Sequence, residues 1–146
     1  MRALCILLLL VPLAGCAMFR PIGGSWVEPT AESEAEPLSE TIVAFVAEFV
    51  PQAGAAIELV APPERQAANM LTLQLRSKLA ARGYKLEAQG AGARHRLKYV
   101  VSRFGDRLLL RVALDGVEAS VLFGWDDGGA LRAAGPLSMR KQGQVL

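Results

Sequence analysis

Asp115-Gly116 stands between two runs in which apolar residues occupy every second position. Leu108, Leu110, Val112 and Leu114 lead into it, and Val117, Ala119, Val121, Phe123 and Trp125 lead out. A period of two puts successive side chains on opposite faces of a sheet, and an Asp-Gly pair tolerates the positive φ angles of a tight hairpin. The pattern continues on both sides. Leu97, Tyr99 and Val101 precede a turn at Phe104-Gly105-Asp106, and Asp127-Gly128-Gly129 turns the chain toward a last short strand near Leu131. The second half is therefore a series of antiparallel hairpins.

The first half of the domain reads as helical. Ser39 is placed to cap a helix whose apolar residues Ile42, Phe45, Val46 and Phe49 recur at helical spacing, with Pro51 ending it. Ala56 to Val60 forms a short strand. Pro62-Pro63-Glu64 opens a second helix, with Ala68, Leu71, Leu75 and Leu79 on one face and Gly83 just past its end. Tyr84, Leu86 and Ala88 then alternate as a strand, and Gly90-Ala91-Gly92 makes a loop. The expected order is α-β-α-β-β-β-β over residues 39–141, with 142–146 as a tail. Two helices packed on a mostly antiparallel sheet of about five to six strands make a single α+β domain. No internal repeat is present.

Ahead of the domain lies a different kind of sequence. Met1 and Arg2 are followed by an apolar run from Ala3 to Leu13. As a helix it would reach only about 16–18 Å against about 30 Å of hydrocarbon, too short for a permanent span, so residues 1–15 read as a cleavable export signal. The tetrad Leu13-Ala14-Gly15-Cys16 resembles the lipobox of bacterial lipoproteins. That resemblance implies cleavage before Cys16 and attachment of a diacylglyceryl group to its thiol, with palmitate among the acyl chains. Cys5 and Cys16 are the two cysteines, and removal of the signal leaves Cys16 alone. An ordinary secretory signal with an incidental cysteine is the competing reading. Two or three acyl chains hold a protein stably on a membrane, where one does so marginally. Ala17, in place of an aspartate, makes the outer membrane the expected destination within the cell envelope, on its periplasmic side.

Residues 16–38 read as the lipidated cysteine and a disordered acidic linker, rich in Pro and Glu and without helical or alternating period. Between residues 17 and 40 one Arg faces five Glu, whereas residues 41–146 carry fourteen Lys and Arg against nine Asp and Glu. The linker serves as a spacer, or orders on a partner through Phe19, Ile22 and Trp26.

Little in the domain points to catalysis. His95 is the only histidine, and no free thiol remains once Cys16 is acylated, so neither a histidine-rich nor a thiolate metal site is expected. Ser102, Ser120 and Ser138 have no evident base. Asp126-Asp127 beside two glycines lacks the spaced ligands of a calcium loop. No enzyme, no metal and no cofactor beyond the covalent lipid is expected. Arg94, Arg96 and Lys98 share one strand face, with Arg103, Arg107 and Arg111 nearby. Such a face suits an anionic polymer, peptidoglycan or DNA, or is simply solvated; without interleaved aromatics, direct nucleic-acid contact is not expected. Trp26, Trp125, Arg94, Arg96 and Lys98 are the candidate partner contacts.

Three segments together carry a family likeness: Leu75-Arg76-Ser77-Lys78-Leu79-Ala80-Ala81-Arg82-Gly83-Tyr84; Leu97-Lys98-Tyr99-Val100 with Leu109-Leu110-Arg111-Val112-Ala113-Leu114-Asp115; and Gly129-Ala130-Leu131-Arg132 through Ala134-Gly135-Pro136-Leu137-Ser138. In this order, and behind a lipobox, they resemble the conjugal transfer protein TrbH. The resemblance implies a structural or assembly lipoprotein of a conjugative type IV secretion apparatus, the mating-pair-formation machinery, in contact with its other subunits. It brings no catalytic residues. The acidic Pro/Glu stretch departs from it. A periplasmic module recognising an anionic polymer through the basic sheet face is the alternative.

Overall fold

In the computed structural model, residues 22–141 are described, apart from Ala67 and the side chains of Thr30 and Glu32. The signal, Leu13, Ala14, Gly15, Cys16 and Phe19 lie outside the described residues. Eight strands form one sheet: β1 (Trp26–Val27), β2 (Ala56–Leu59), β3 (Lys85–Glu87), β4 (His95–Phe104), β5 (Arg107–Leu114), β6 (Val117–Trp125), β7 (Leu131–Ala133) and β8 (Ser138–Lys141). Two helices, α1 (Ala35–Phe49) and α2 (Met70–Ala81), complete the α+β fold.

The hairpins anchor the architecture. β4 pairs antiparallel with β5 from Leu97↔Leu114 to Phe104↔Arg107, and β5 with β6 from Leu108↔Phe123 to Leu114↔Val117. Asp115 and Gly116 both take positive φ, 50° and 83°, as the hairpin with a primed turn requires. β7 and β8 both pair with β6, at its two halves. On the other side of β4 the pairing is parallel. β2 lies beside His95–Leu97 and β1 beside Val100–Val101, while β3 flanks β2. The parallel neighbours β2 and β3, successive in the chain, are joined through α2, as such a crossover demands.

The helices cover one face of the sheet. Leu97, Tyr99, Val101, Leu108, Leu110, Val112, Leu114, Val121 and Phe123 point into a single core with Leu38, Ile42, Phe45 and Val46 of α1 and Leu71, Leu75 and Leu79 of α2. The α2 end is a double reverse bond around Gly83 (φ 88°): Tyr84 N–H donates to Leu79 O at 3.1 Å and Gly83 N–H to Ala80 O at 2.9 Å.

The structure differs from the sequence expectation in four places. The segment expected to be linker as far as residue 38 is part of the fold from Ile22 on. Val27 is buried beside Val101, its N–H donates to Gln66 Oε1 at 3.1 Å, and Gln66 Nε2 returns a bond to Val27 O at 2.7 Å. A two-residue strand satisfied by a distant side chain leaves no run of alternation to read. Helix α1 begins at Ala35, after a 3₁₀ turn over Pro29–Glu34, and Ser39 is a buried interior residue whose hydroxyl donates to Glu36 O at 2.8 Å. Pro37 sits in the first turn, where a backbone N–H has no helical acceptor and its loss costs nothing. Helix α2 begins at Met70, not at Pro62. Asn69 caps it, Oδ1 accepting from Thr72 N–H at 2.8 Å, and Ala68 is exposed. The fourth difference is β8, which with β1 raises the strand number to eight.

Candidate functional site

Among the described residues no helix covers the second face of the sheet, and most of the functional residues expected from sequence divide along it by strand register. Arg94, Arg96 and Lys98 come together at the end where β4 begins. With Ile22, Ala93, Ala113, Asp115 and Gly116 they line a depression of about 260 Å³. Lys98 Nζ donates to Ile22 O at 3.2 Å, so this cationic group marks where the amino-terminal segment enters the fold. Arg96 Nε lies 3.3 Å from Oε1 of Glu58, a buried carboxylate that also accepts from Gly90 N–H at 3.2 Å. Asp115 closes the rim: Oδ2 is 2.5 Å from His95 Nδ1, and Oδ1 accepts from Arg96 N–H at 3.1 Å. Arg94 is exposed, and no ion pair holds it among the described residues.

Arg111 is not part of this group. It and Arg140 converge on Glu118, which is buried at the start of β6, with Arg140 Nη2 at 2.9 Å from Oε2. A buried carboxylate needs such partners, since an unpaired one would be costly. The basic face expected from the strand pattern is thus interrupted by its own acids.

Trp26 and Trp125 sit apart from each other. Trp26 pairs with Val100 in mid-sheet on the open face and is 45% exposed; Trp125 ends β6 on the helix side and is 40% exposed. Near Trp125 the turn is a self-contained polar loop. Asp126 Oδ2 is 2.5 Å from Arg132 Nε, and Asp126 Oδ1 accepts from Ala130 and Gly128 N–H groups at 2.9 and 3.0 Å. The Arg132 guanidinium first, then these N–H groups, holds the Asp126 carboxyl below its ordinary range. Asp126 is engaged by the turn and by Arg132.

Sequence reasoning missed an apolar cleft of about 740 Å³ on the open face. Phe104, Leu109 and Leu122 line it from β4, β5 and β6, together with Ala134, Gly135 and Pro136 of the connection from β7 to β8. Phe104 is 62% exposed. The signal was present: Leu109 and Leu122 are apolar at outward positions of otherwise regular alternation, and each was passed over for its inward neighbours.

Buried polar groups in the core are structural. Tyr99 Oη and Thr72 Oγ1 share a 2.7 Å hydrogen bond beneath α2, and burial pushes the Tyr99 phenol up to about 12, against the smaller opposing effects of the Thr72 bond and Arg76. Among the described residues no three His, Cys, Asp or Glu side chains group as metal ligands, and no helix is long and apolar enough to cross a membrane.

The family model described as Conjugal transfer protein TrbH matches residues 21–142. No curated protein and no solved structure matches the chain.

Proposed function

The chain belongs to the TrbH family of conjugal transfer proteins, and from that premise we propose that it is a lipid-anchored, structural component of the conjugative secretion apparatus in the cell envelope. The family match supports the place in the transfer apparatus, and the Leu13-Ala14-Gly15-Cys16 tetrad supports the anchor. The match begins at residue 21, five positions past Cys16, so the lipobox stands directly ahead of the matched domain. Leu13, Ala14 and Gly15 present the signal for cleavage, and Cys16 carries the lipid. Two or more acyl chains keep the domain on the membrane without a spanning helix. Ala17 directs it to the periplasmic side of the outer membrane.

The domain works by contact with other subunits of the apparatus. An uncovered sheet face with an apolar cleft, and exposed Trp26 and Phe104 beside charged groups, has the make-up of a protein-binding surface. No cofactor other than the covalent lipid enters the reading.

Metabolic labelling with palmitate tests the anchor. The wild-type chain takes up label, and its amino-terminal peptide begins at a diacylglyceryl-modified Cys16; Cys16→Ser takes up none. An unlabelled wild-type chain, or a membrane-bound mature form that starts elsewhere, refutes it.

A further inference from the structure

We propose that the Arg94, Arg96 and Lys98 end of the sheet rests on anionic phospholipid headgroups, so that the domain stands on its membrane with a fixed end down. The proposal rests on the lipid-anchor reading above and adds an orientation and a lipid class to it.

Three observations carry it. The first is reach. Ile22 is a buried residue of the fold, and in sequence only residues 17–21 lie between it and Cys16. Six Cα steps extend at most about 20 Å, less than the span of a small domain. The second is where that short leash attaches: Ile22 O accepts from Lys98 Nζ and lines the same depression as Arg94 and Arg96. Whatever surface holds Cys16 therefore lies close to these cations.

The third is charge. By register, the end of the sheet that holds the start of β4 also holds the start of β3 and the end of β8. Lys85, Arg94, Arg96, Lys98, Arg140 and Lys141 gather there against Asp115, Glu87 and the two buried acids Glu58 and Glu118, six cations to four acids. The far end instead balances Arg103, Arg107 and Arg132 with Asp106, Asp126 and Asp127. The leash itself, Ala17 to Pro21, carries Arg20 and no acid. The acids of Glu28 to Glu40, which would be repelled by anionic lipid, are drawn into the 3₁₀ turn, α1 and the residues that flank them. Cations feel an anionic surface strongly within a Debye length, about 10 Å, and a leash of at most about 20 Å keeps them close enough to reach that zone repeatedly.

The two tryptophans supply a ruler. Trp26 is level with Val100, and Trp125 lies roughly 17 Å farther along the strands from the basic end. The mature lipoprotein is reconstituted in phosphatidylcholine vesicles with and without phosphatidylglycerol, each with a dansyl-headgroup lipid. Energy transfer is then read from Trp26 alone (Trp125→Phe) and from Trp125 alone (Trp26→Phe). On phosphatidylglycerol vesicles transfer from Trp26 exceeds that from Trp125 several-fold. Arg94→Glu with Lys98→Gln, which leaves the Arg96–Glu58 pair intact, reduces that ratio to the value on neutral vesicles, while the protein stays vesicle-bound and its circular dichroism is unchanged. Equal transfer from the two tryptophans on anionic vesicles, or a ratio indifferent to the double variant, overturns the orientation, as docking of this end on a protein would. Wild-type protein washing off neutral vesicles refutes the lipid anchor itself, and the orientation with it.

Discussion

Tyr99 shows how one buried phenol ties an α-helix to the central strand. Its hydroxyl meets Thr72 Oγ1, which also accepts from Asn69 Nδ2 at 2.7 Å, so a three-residue polar chain runs under α2 through an apolar core. Burial raises the phenol to about 12, whereas in the unfolded chain it ionises near the ordinary 10.0. Above that lower value the unfolded state loses its proton while the folded state keeps it. The stability present below the lower value is therefore lost as pH rises toward the upper one, by on the order of 2 kcal/mol. Urea titrations across this window show the decline in the wild type. Tyr99→Phe removes this residue's share of the slope and costs about 1 kcal/mol at neutral pH, because Thr72 keeps its bond from Asn69. An undiminished slope in Tyr99→Phe would assign the alkaline loss elsewhere.

At the scale of elements, α2 is defined by its two ends. Asn69 satisfies the Thr72 N–H at the start, and Gly83 allows the reversed bonds at the close. Asn69→Ala should lower stability by about 1–2 kcal/mol in a denaturant titration, since both the cap and the contact to Thr72 are lost; Asn69→Asp, which keeps the accepting oxygen, should recover most of it. The end of this helix was legible in the sequence and its start was not. Gly83 has one conformational use after a helical stretch, whereas Pro62-Pro63-Glu64 has the composition of a helix start and takes part instead in the connection from β2, with its 3₁₀ turn over Glu64–Gln66. The hairpins were legible because a two-residue turn sets the register of both its strands. β1 was not, because Gln66, far away in the chain, supplies the partner its backbone needs. The apolar cleft was hidden for a related reason: alternation identifies the face with the more regular apolar residues and is silent about Leu109 and Leu122 on the other.

At the scale of the whole molecule, the fold takes up sequence that composition alone reads as a spacer. An acidic spacer as far as residue 38 would let an anchored domain swing freely; with Ile22 to Leu38 in the fold, five residues of sequence remain between Cys16 and Ile22. One face of the sheet is spent on the core, and the other, with its apolar cleft and exposed Trp26, is left for neighbours. That division suits a component that works by being held in place and touched. On the reading we propose, anchoring at Cys16 is how this TrbH-family chain serves transfer. Transfer frequency in a deletion strain complemented with equal amounts of wild-type or Cys16→Ser protein tests it most directly. Wild type restores transfer and Cys16→Ser does not, although its domain remains folded; restoration by both to the same frequency would contradict the account.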